Sequence, residues 1–412
     1  MSVKSKHFWP KIALFFSVIG PGIITALANN DAGGISTYSI VGARYGTQML
    51  WVLFLVTIAL AITQEMGMRI GLVTRQGLSG VIRENFGLKW TAFAMITILI
   101  TNLGTMASEF SGIAASFEIV GISKYFTVPI VALVIWFILY KGSFKTTQKI
   151  FIVFSALFVV YIINGFFIKP DFHQALTALV TPSIQWNTPF LIIMIALIGT
   201  TITPWGQFFI QSYVVDKGLD KKNYKIEKFE IYLGSFLASF VAFFIIISTA
   251  TVLHKNGIDI TDAKDAALAL KPLIGNSAQI LFAFGLFCAS MLGAFILPVA
   301  TSYVICEAFG WEYGFNTTWE NGKFFYSLIL LSIILPALAV LIPGVSLINI
   351  MLHAQNINGM LLPIILIFVM KIINNKKIMG EYTNKPIGNT IAWFTIIGII
   401  LATIILVAST FI

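Results

Sequence analysis

Apolar stretches recur along the whole chain, and most reach the roughly twenty residues that a helix needs to cross about 30 Å of hydrocarbon. Eleven of them run over 11–40, 47–70, 89–122, 125–140, 147–168, 189–214, 229–253, 278–306, 323–343, 345–372 and 387–411. Lipid offers a backbone no hydrogen-bond partner, so the pattern predicts an all-α membrane protein. Two stretches are interrupted. The first passes through Gly20-Pro21-Gly22 and then Asn29-Asn30-Asp31-Ala32-Gly33-Gly34, and the sixth carries Gly199-Thr200-Thr201-Ile202-Thr203-Pro204-Trp205-Gly206-Gln207.

Either break alone is explained as well by a kink between packed helices. Together they open two blocks of five spans each, which must then run in opposite orientations. Broken helices at matching places in two halves point to an inverted-repeat transporter with its substrate near mid-membrane. The expected organisation is a single transmembrane transporter domain over 1–412: a five-helix repeat over 11–168, an inverted repeat over 189–372 and an additional helix over 387–411, with the first and sixth helices unwound. The first stretch shows no cleavage site of the A-x-A kind and reads as a retained span.

Composition narrows the function. The 412 residues are 58% hydrophobic and 10% charged, with a mean hydropathy of +0.91; soluble domains carry about 25% charged residues. A water-exposed enzyme is excluded on that ground, and no H-E-x-x-H, Walker A or G-x-S-x-G motif is present. The net charge of +9 invites a nucleic-acid reading, but its distribution argues for topology. With the amino terminus in the cytoplasm, Arg44, Lys124, Lys169, Lys255, Lys264 and Lys271 fall outside and the other 20 of the 26 basic residues fall inside, as the positive-inside rule requires. Eleven spans then put the carboxyl terminus outside. Asp259, Asp262 and Asp265 lie in an external loop, either as a solvated face or as a lure for cations. Cys288 and Cys306 have no C-x-x-C spacing and read as packing residues.

A carboxylate within a span costs at least about 2.5–3.5 kcal/mol and is functional by default. Asp31, in the first break, and Glu109, in the middle of the third stretch, are the candidates; Glu65 and Arg69 are spaced for a structural helix ion pair. Asp31 beside unwound backbone would make a site of hard oxygen ligands for a cation. Around it we place the carbonyls of Ala28 and Thr200, the hydroxyl of Thr203, and the amides of Gln207 and Gln355. Gln355 belongs to the polar run His353-Ala354-Gln355-Asn356-Ile357-Asn358, for which interhelical hydrogen bonding is the alternative role. Glu109 and His353 are candidates for a proton pathway, and a neutral hydrogen-bond partner is the alternative for His353. No resident cofactor is expected. The expected partners are a divalent metal ion and the bilayer, without nucleic acid or an obligatory oligomer.

In order along the chain, Gly20-Pro21-Gly22, Asp31-Ala32-Gly33-Gly34, Arg69-Ile70-Gly71-Leu72-Val73-Thr74 with Leu78, Thr203-Pro204-Trp205, and Gln355 followed by Pro363 resemble the NRAMP divalent-metal transporters. The resemblance covers spans one to ten. It implies the LeuT-type fold of two inverted five-helix repeats and transport of a divalent metal. The departures fall on the site. The family's Asp-Pro-Gly-Asn reads Asp-Ala-Gly-Gly, so Gly34 stands for the coordinating asparagine. Its Met-Pro-His reads Thr-Pro-Trp, so Thr203 replaces the thioether and Trp205 the histidine. Gly112 replaces a second acid in the third span, and the ninth span lacks an arginine. Sulfur favours softer ions, whereas carboxylate, carbonyl and water suit magnesium, calcium and manganese.

This pattern resembles the NRAMP-related magnesium transporters and implies import of Mg²⁺, with Mn²⁺ as a second cargo, across the cell membrane by alternating access with weak or no proton coupling. The alternatives are a proton-coupled Mn²⁺/Fe²⁺ importer and an amino-acid carrier of the same fold, whose substrate carboxylate Asp31 would repel. A channel lacks a filter-like motif, and a membrane-embedded enzyme lacks a nucleophile and base.

Overall fold

In lipid the helix satisfies its own backbone, and the computed structural model, which describes residues 30–141, 159–314 and 317–409, is helical throughout, with no strand among the described residues. The helices are α1 (Ala32–Tyr45), α2 (Leu50–Thr74), α3 (Leu78–Ile119), α4 (Lys124–Lys141), α5 (Val159–Phe167), the short α6 (Phe172–Ala178), α7 (Thr188–Thr201), α8 (Pro204–Asp216), α9 (Tyr224–Val252), α10 (Ala278–Phe309), α11 (Lys323–Leu341), α12 (Leu347–Ile373) and α13 (Pro386–Ser409). Among the described residues nine segments are long and apolar enough to span a membrane, α7 and α8 counting together as one. Much of the expected first and fifth spans, and Ala28 with them, lies outside the described residues.

Boundaries differ by a few residues from those the sequence predicts. In α3 a short segment, 78–86, precedes the non-helical Gly87 (φ 76°, ψ 176°), and the stretch after it starts within a residue of the predicted 89; the φ of Gly87 is open to glycine and strained for other residues. The short segment has an anchor that the sequence pattern does not show. Glu307, near the end of α10, accepts the Gly77 N–H at 2.7 Å, a donor that the helix N-terminus leaves unpaired, and the Ser79 hydroxyl.

The core forms where α3 packs along α10 and α12, α12 crosses α7, and α9 covers α1 and α2. Close crossings use small residues, as between membrane helices generally. A side chain at Gly199 of α7 would collide with the Gln355 carbonyl and the Gly359 backbone of α12. α4 and α13 lie at the periphery, with Phe126, Leu133, Phe394 and Ile404 exposed as lipid-facing residues should be. Cys288 and Cys306 are buried free thiols.

At the end of the molecule where α1 meets α2, the acids of the 254–277 segment serve the local structure. Asp259 pairs with Arg44 at 2.8 Å. Burial alone would push the Asp265 carboxyl up, but hydrogen bonds from the Thr261 amide and hydroxyl and the Asp262 amide hold it below the usual value. The Arg44–Asp259 side chains remain 39% and 51% exposed, and exposed pairs contribute at most about 1 kcal/mol. Asp259→Asn is therefore expected to move the unfolding midpoint by no more than about 2 °C, measured by thermal unfolding in detergent.

Candidate cation site

Proline cannot donate an amide hydrogen and disfavours helical geometry in the residue before it, so Thr203-Pro204 ends one helix and starts another. Ile202 (φ −115°, ψ 92°) and Thr203 (φ −84°, ψ 139°) are extended between α7 and α8. The last turn of α7 thereby leaves carbonyls without helical partners. The Thr200 hydroxyl beside them is buried with no partner among the described residues. Tyr38 of α1 ties this end down through a 3.1 Å hydroxyl contact with Thr201.

α1 begins at the other break. Asp31 caps it by accepting the Gly34 N–H at 2.7 Å, while Glu109 of α3 accepts the Ala32 N–H at 3.4 Å. The two carboxyls are both buried and face each other directly at this helix N-terminus, where the backbone dipole favours negative charge. Small residues make room for them. A side chain at Gly293 of α10 would strike the Glu109 carboxyl, and one at Gly112 would strike Ala32 and Ser290. The two ion pairs found among the described residues, Arg44–Asp259 and Arg69–Glu65, involve neither acid. Two such carboxyls without a basic partner among the described residues need a cation or a shared proton to balance their charge.

Gln355 joins the halves of the site. Its amide lies against Gly33, where a side chain would overlap it and approach the Ser108 hydroxyl at 2.8 Å. Its backbone carbonyl lies against Gly199. Its Oε1 accepts from Asn358 at 2.9 Å, and the same Asn358 amide donates to Thr105 at 2.9 Å. Buried polar atoms without partners cost about 1–3 kcal/mol each. Glu109 Oε1, Ser108 Oγ, Thr200 Oγ1 and Gln355 Nε2 are four such atoms in this one region. Such a concentration has the chemistry of a ligand-binding site built from carboxyl, hydroxyl, amide and carbonyl groups.

Residues 22–409 match the Nramp family, described as natural resistance-associated macrophage protein-like. The chain belongs to the Nramp family. It is 22% identical over 414 residues to a divalent metal cation transporter, MntH, of Caldanaerobacter subterraneus subsp. tengcongensis, covering 98% of this chain and 94% of the relative. The crystal structure of the Eremococcus coleocola manganese transporter superposes with a TM-score of 0.80 at 19% identity, over 98% of this chain and 87% of that one. MhsT in complex with L-phenylalanine gives a TM-score of 0.61 at 14% identity, over 94% and 98% of the two chains. The Nramp fold of this protein is thus the LeuT-type arrangement that the family resemblance implies, with the sixth helix broken at Ile202-Thr203.

In this Nramp chain the remaining candidate residues are spread more widely. Thr203 is fully buried as the extended residue that precedes α8. Gln207, one turn on, faces α2, donating to Thr63 at 3.4 Å and packing its carbonyl near Gly67. His353 is exposed on the α12 face that also carries Asn349 and Ile357, whereas Gln355 is buried. Trp205 is buried against Phe209, at 5.7 Å between ring centroids. Sequence reasoning named Gly33 and Asn358 only as members of their motifs, and it missed Ser108 and Thr105. A signal was available: Thr101, Thr105, Ser108 and Gly112 recur at spacings of four, three and four, marking one polar face on an otherwise apolar helix.

Proposed function

We propose that this protein imports Mg²⁺, with Mn²⁺ as a second cargo, by alternating access with weak or no proton coupling. The observation that carries the reading is the donor set at the two breaks. It offers the Asp31 carboxyl, the Ser108 and Thr200 hydroxyls and the Gln355 amide, with Glu109 on the Ala32 amide beside them and Thr203 where the family's thioether would stand. Oxygen donors suit hard ions, and magnesium keeps several of its waters, so a site with two short residues, Gly34 and Thr203, favours a hydrated ion. Asp31 is the principal anionic ligand, assisted by the carbonyls of Ala28 and Thr200, the Thr203 hydroxyl and the amides of Gln355 and Gln207. One continuous transmembrane unit, comprising the repeats over 11–168 and 189–372 and the helix over 387–411, sits in the cell membrane with the basic Arg69 end cytoplasmic. Two charges entering an inside-negative cell gain about 4.6 kcal/mol per 100 mV, enough to drive uptake alone.

A second reading is proton-coupled Mn²⁺/Fe²⁺ import. The named cargo of the Eremococcus coleocola relative and the facing Asp31 and Glu109 carboxyls, which could share a proton, favour it. Reconstituted vesicles separate the two: uptake is followed with Mg²⁺, Mn²⁺, Ca²⁺ and Fe²⁺ in competition, and an internal dye reports acidification. Protons entering with the metal, together with Fe²⁺ outcompeting excess Mg²⁺, would overturn the magnesium assignment. Glu109→Gln keeps an acceptor for the Ala32 amide while removing the titratable group. Mg²⁺ uptake by that variant is expected within about twofold of wild type, a barrier change near 0.4 kcal/mol, measured as initial rates in the same vesicles.

A further inference from the structure

At the basic end, outside the cation site, a cavity of about 530 Å³ opens between α2, the start of α9 and the segment joining α12 to α13. Its floor is rigid. Arg69 pairs with Glu65 at 3.1 Å and donates to the carbonyls of Tyr382 and Thr383 and to Asn384 Oδ1, while Tyr224 donates to Glu65 at 2.7 Å. This network satisfies Glu65 yet leaves the buried Arg69 Nε without a partner. Lys228 and Lys385 also line the cavity, and neither is in an ion pair among the described residues. The Lys228 ammonium is held at 5.8 and 5.4 Å from the ring centroids of Tyr224 and Tyr232, so its position is defined without a carboxylate. Lys221 lies over Tyr382 at 5.2 Å. Against these cations stand the neutralised Glu65 and the exposed Glu381.

The cavity continues into an apolar strip. Along α2, Phe54, Ile58, Ile62, Glu65 and Arg69 follow one another at spacings of four, four, three and four, a single helix face. Phe54 and Ile58 are exposed and Ile62 lines the cavity, as does Ile387, 75% exposed at the start of α13. A free anion would use the cationic pocket and have no need of this strip. A phospholipid uses both, its phosphate among the lysines and an acyl chain along Phe54 and Ile58. Basic pockets between spans on the cytoplasmic side are suited to anionic headgroups.

We propose that this cavity binds an anionic phospholipid, its phosphate held by Lys228 and Lys385. The proposal does not depend on which cation is carried. The test is native mass spectrometry of the full-length protein in detergent with equimolar phosphatidylglycerol and phosphatidylcholine of identical acyl chains. Wild type is expected to retain phosphatidylglycerol preferentially, and K228Q/K385Q to lose about tenfold to thirtyfold of that retention, on the scale of about 1 kcal/mol for each basic side chain. I58W leaves the charges intact and blocks the strip, so it carries the test should the double variant not fold, and it is expected to lower retention of the same lipid. Equal retention of the two lipids by wild type, or an undiminished preference in both variants, would overturn the proposal. Displacement of phosphatidylglycerol by millimolar inorganic phosphate would instead identify a soluble-anion site and overturn the lipid assignment.

Discussion

Asp31→Ala is expected to abolish divalent-ion uptake, lowering initial rates by more than about a hundredfold, because removing one member of a buried charge pairing costs about 3–5 kcal/mol. The same substitution removes the cap that accepts the Gly34 N–H at 2.7 Å, a loss of about 1 kcal/mol of stability. Transport and folding would then fall together and the cause would be ambiguous. Asp31→Asn separates them. Asparagine caps a helix about as well as aspartate, so the unfolding midpoint is expected to stay near wild type while uptake is still lost. Vesicles of this variant transporting at the wild-type rate would remove Asp31 from the ligand set.

The fold was legible because membrane helices announce themselves by length, and because Thr203-Pro204 states in two residues that a helix stops there. The short helical segment before Gly87 was not legible, since it depends on Glu307 reaching from α10 to Gly77 and Ser79 across 228 to 230 positions of sequence. Asp31 and Gln355 stood out as polar residues in apolar stretches. The contact of Gln355 with Gly33 did not, because it arises from the crossing of α1 and α12 and leaves no mark on local spacing. His353 differs from Gln355: polarity within a span marks both, but their phases on α12, two residues apart, leave His353 exposed and Gln355 buried. Polarity marks depth in the membrane, while helical phase decides which way a side chain faces.

Glu109 gains a second role from its placement. Its carboxyl closes the N-terminus of α1 beside Asp31, so any ion leaving the site changes the charge balance at that helix end. With no basic partner for either acid among the described residues, the departing charge must be replaced by another cation, by a proton or by water-mediated screening. Coupling therefore reduces to which of these enters, and that is why a dye for protons and a competition series for metals belong in one experiment.

Thr203→Met is expected to shift selectivity by about tenfold toward Mn²⁺ and Cd²⁺ over Mg²⁺, since a thioether prefers softer ions than a hydroxyl does. The position is fully buried where α8 begins, so the longer side chain also brings strain, costing typically about 1–3 kcal/mol. Methionine is flexible enough to relieve part of it. A fall in absolute rate alone would therefore say nothing about ligation. Thr203→Leu supplies comparable bulk without sulfur and is expected to slow all ions alike. The measurement is the ratio of Mn²⁺ to Mg²⁺ initial rates, with Cd²⁺ as competitor, in vesicles of the two variants. If methionine and leucine give the same ratio, Thr203 lies outside the coordination sphere and the proposal of magnesium as cargo loses the support of its hydroxyl; if only methionine raises it, the residue at 203 touches the ion.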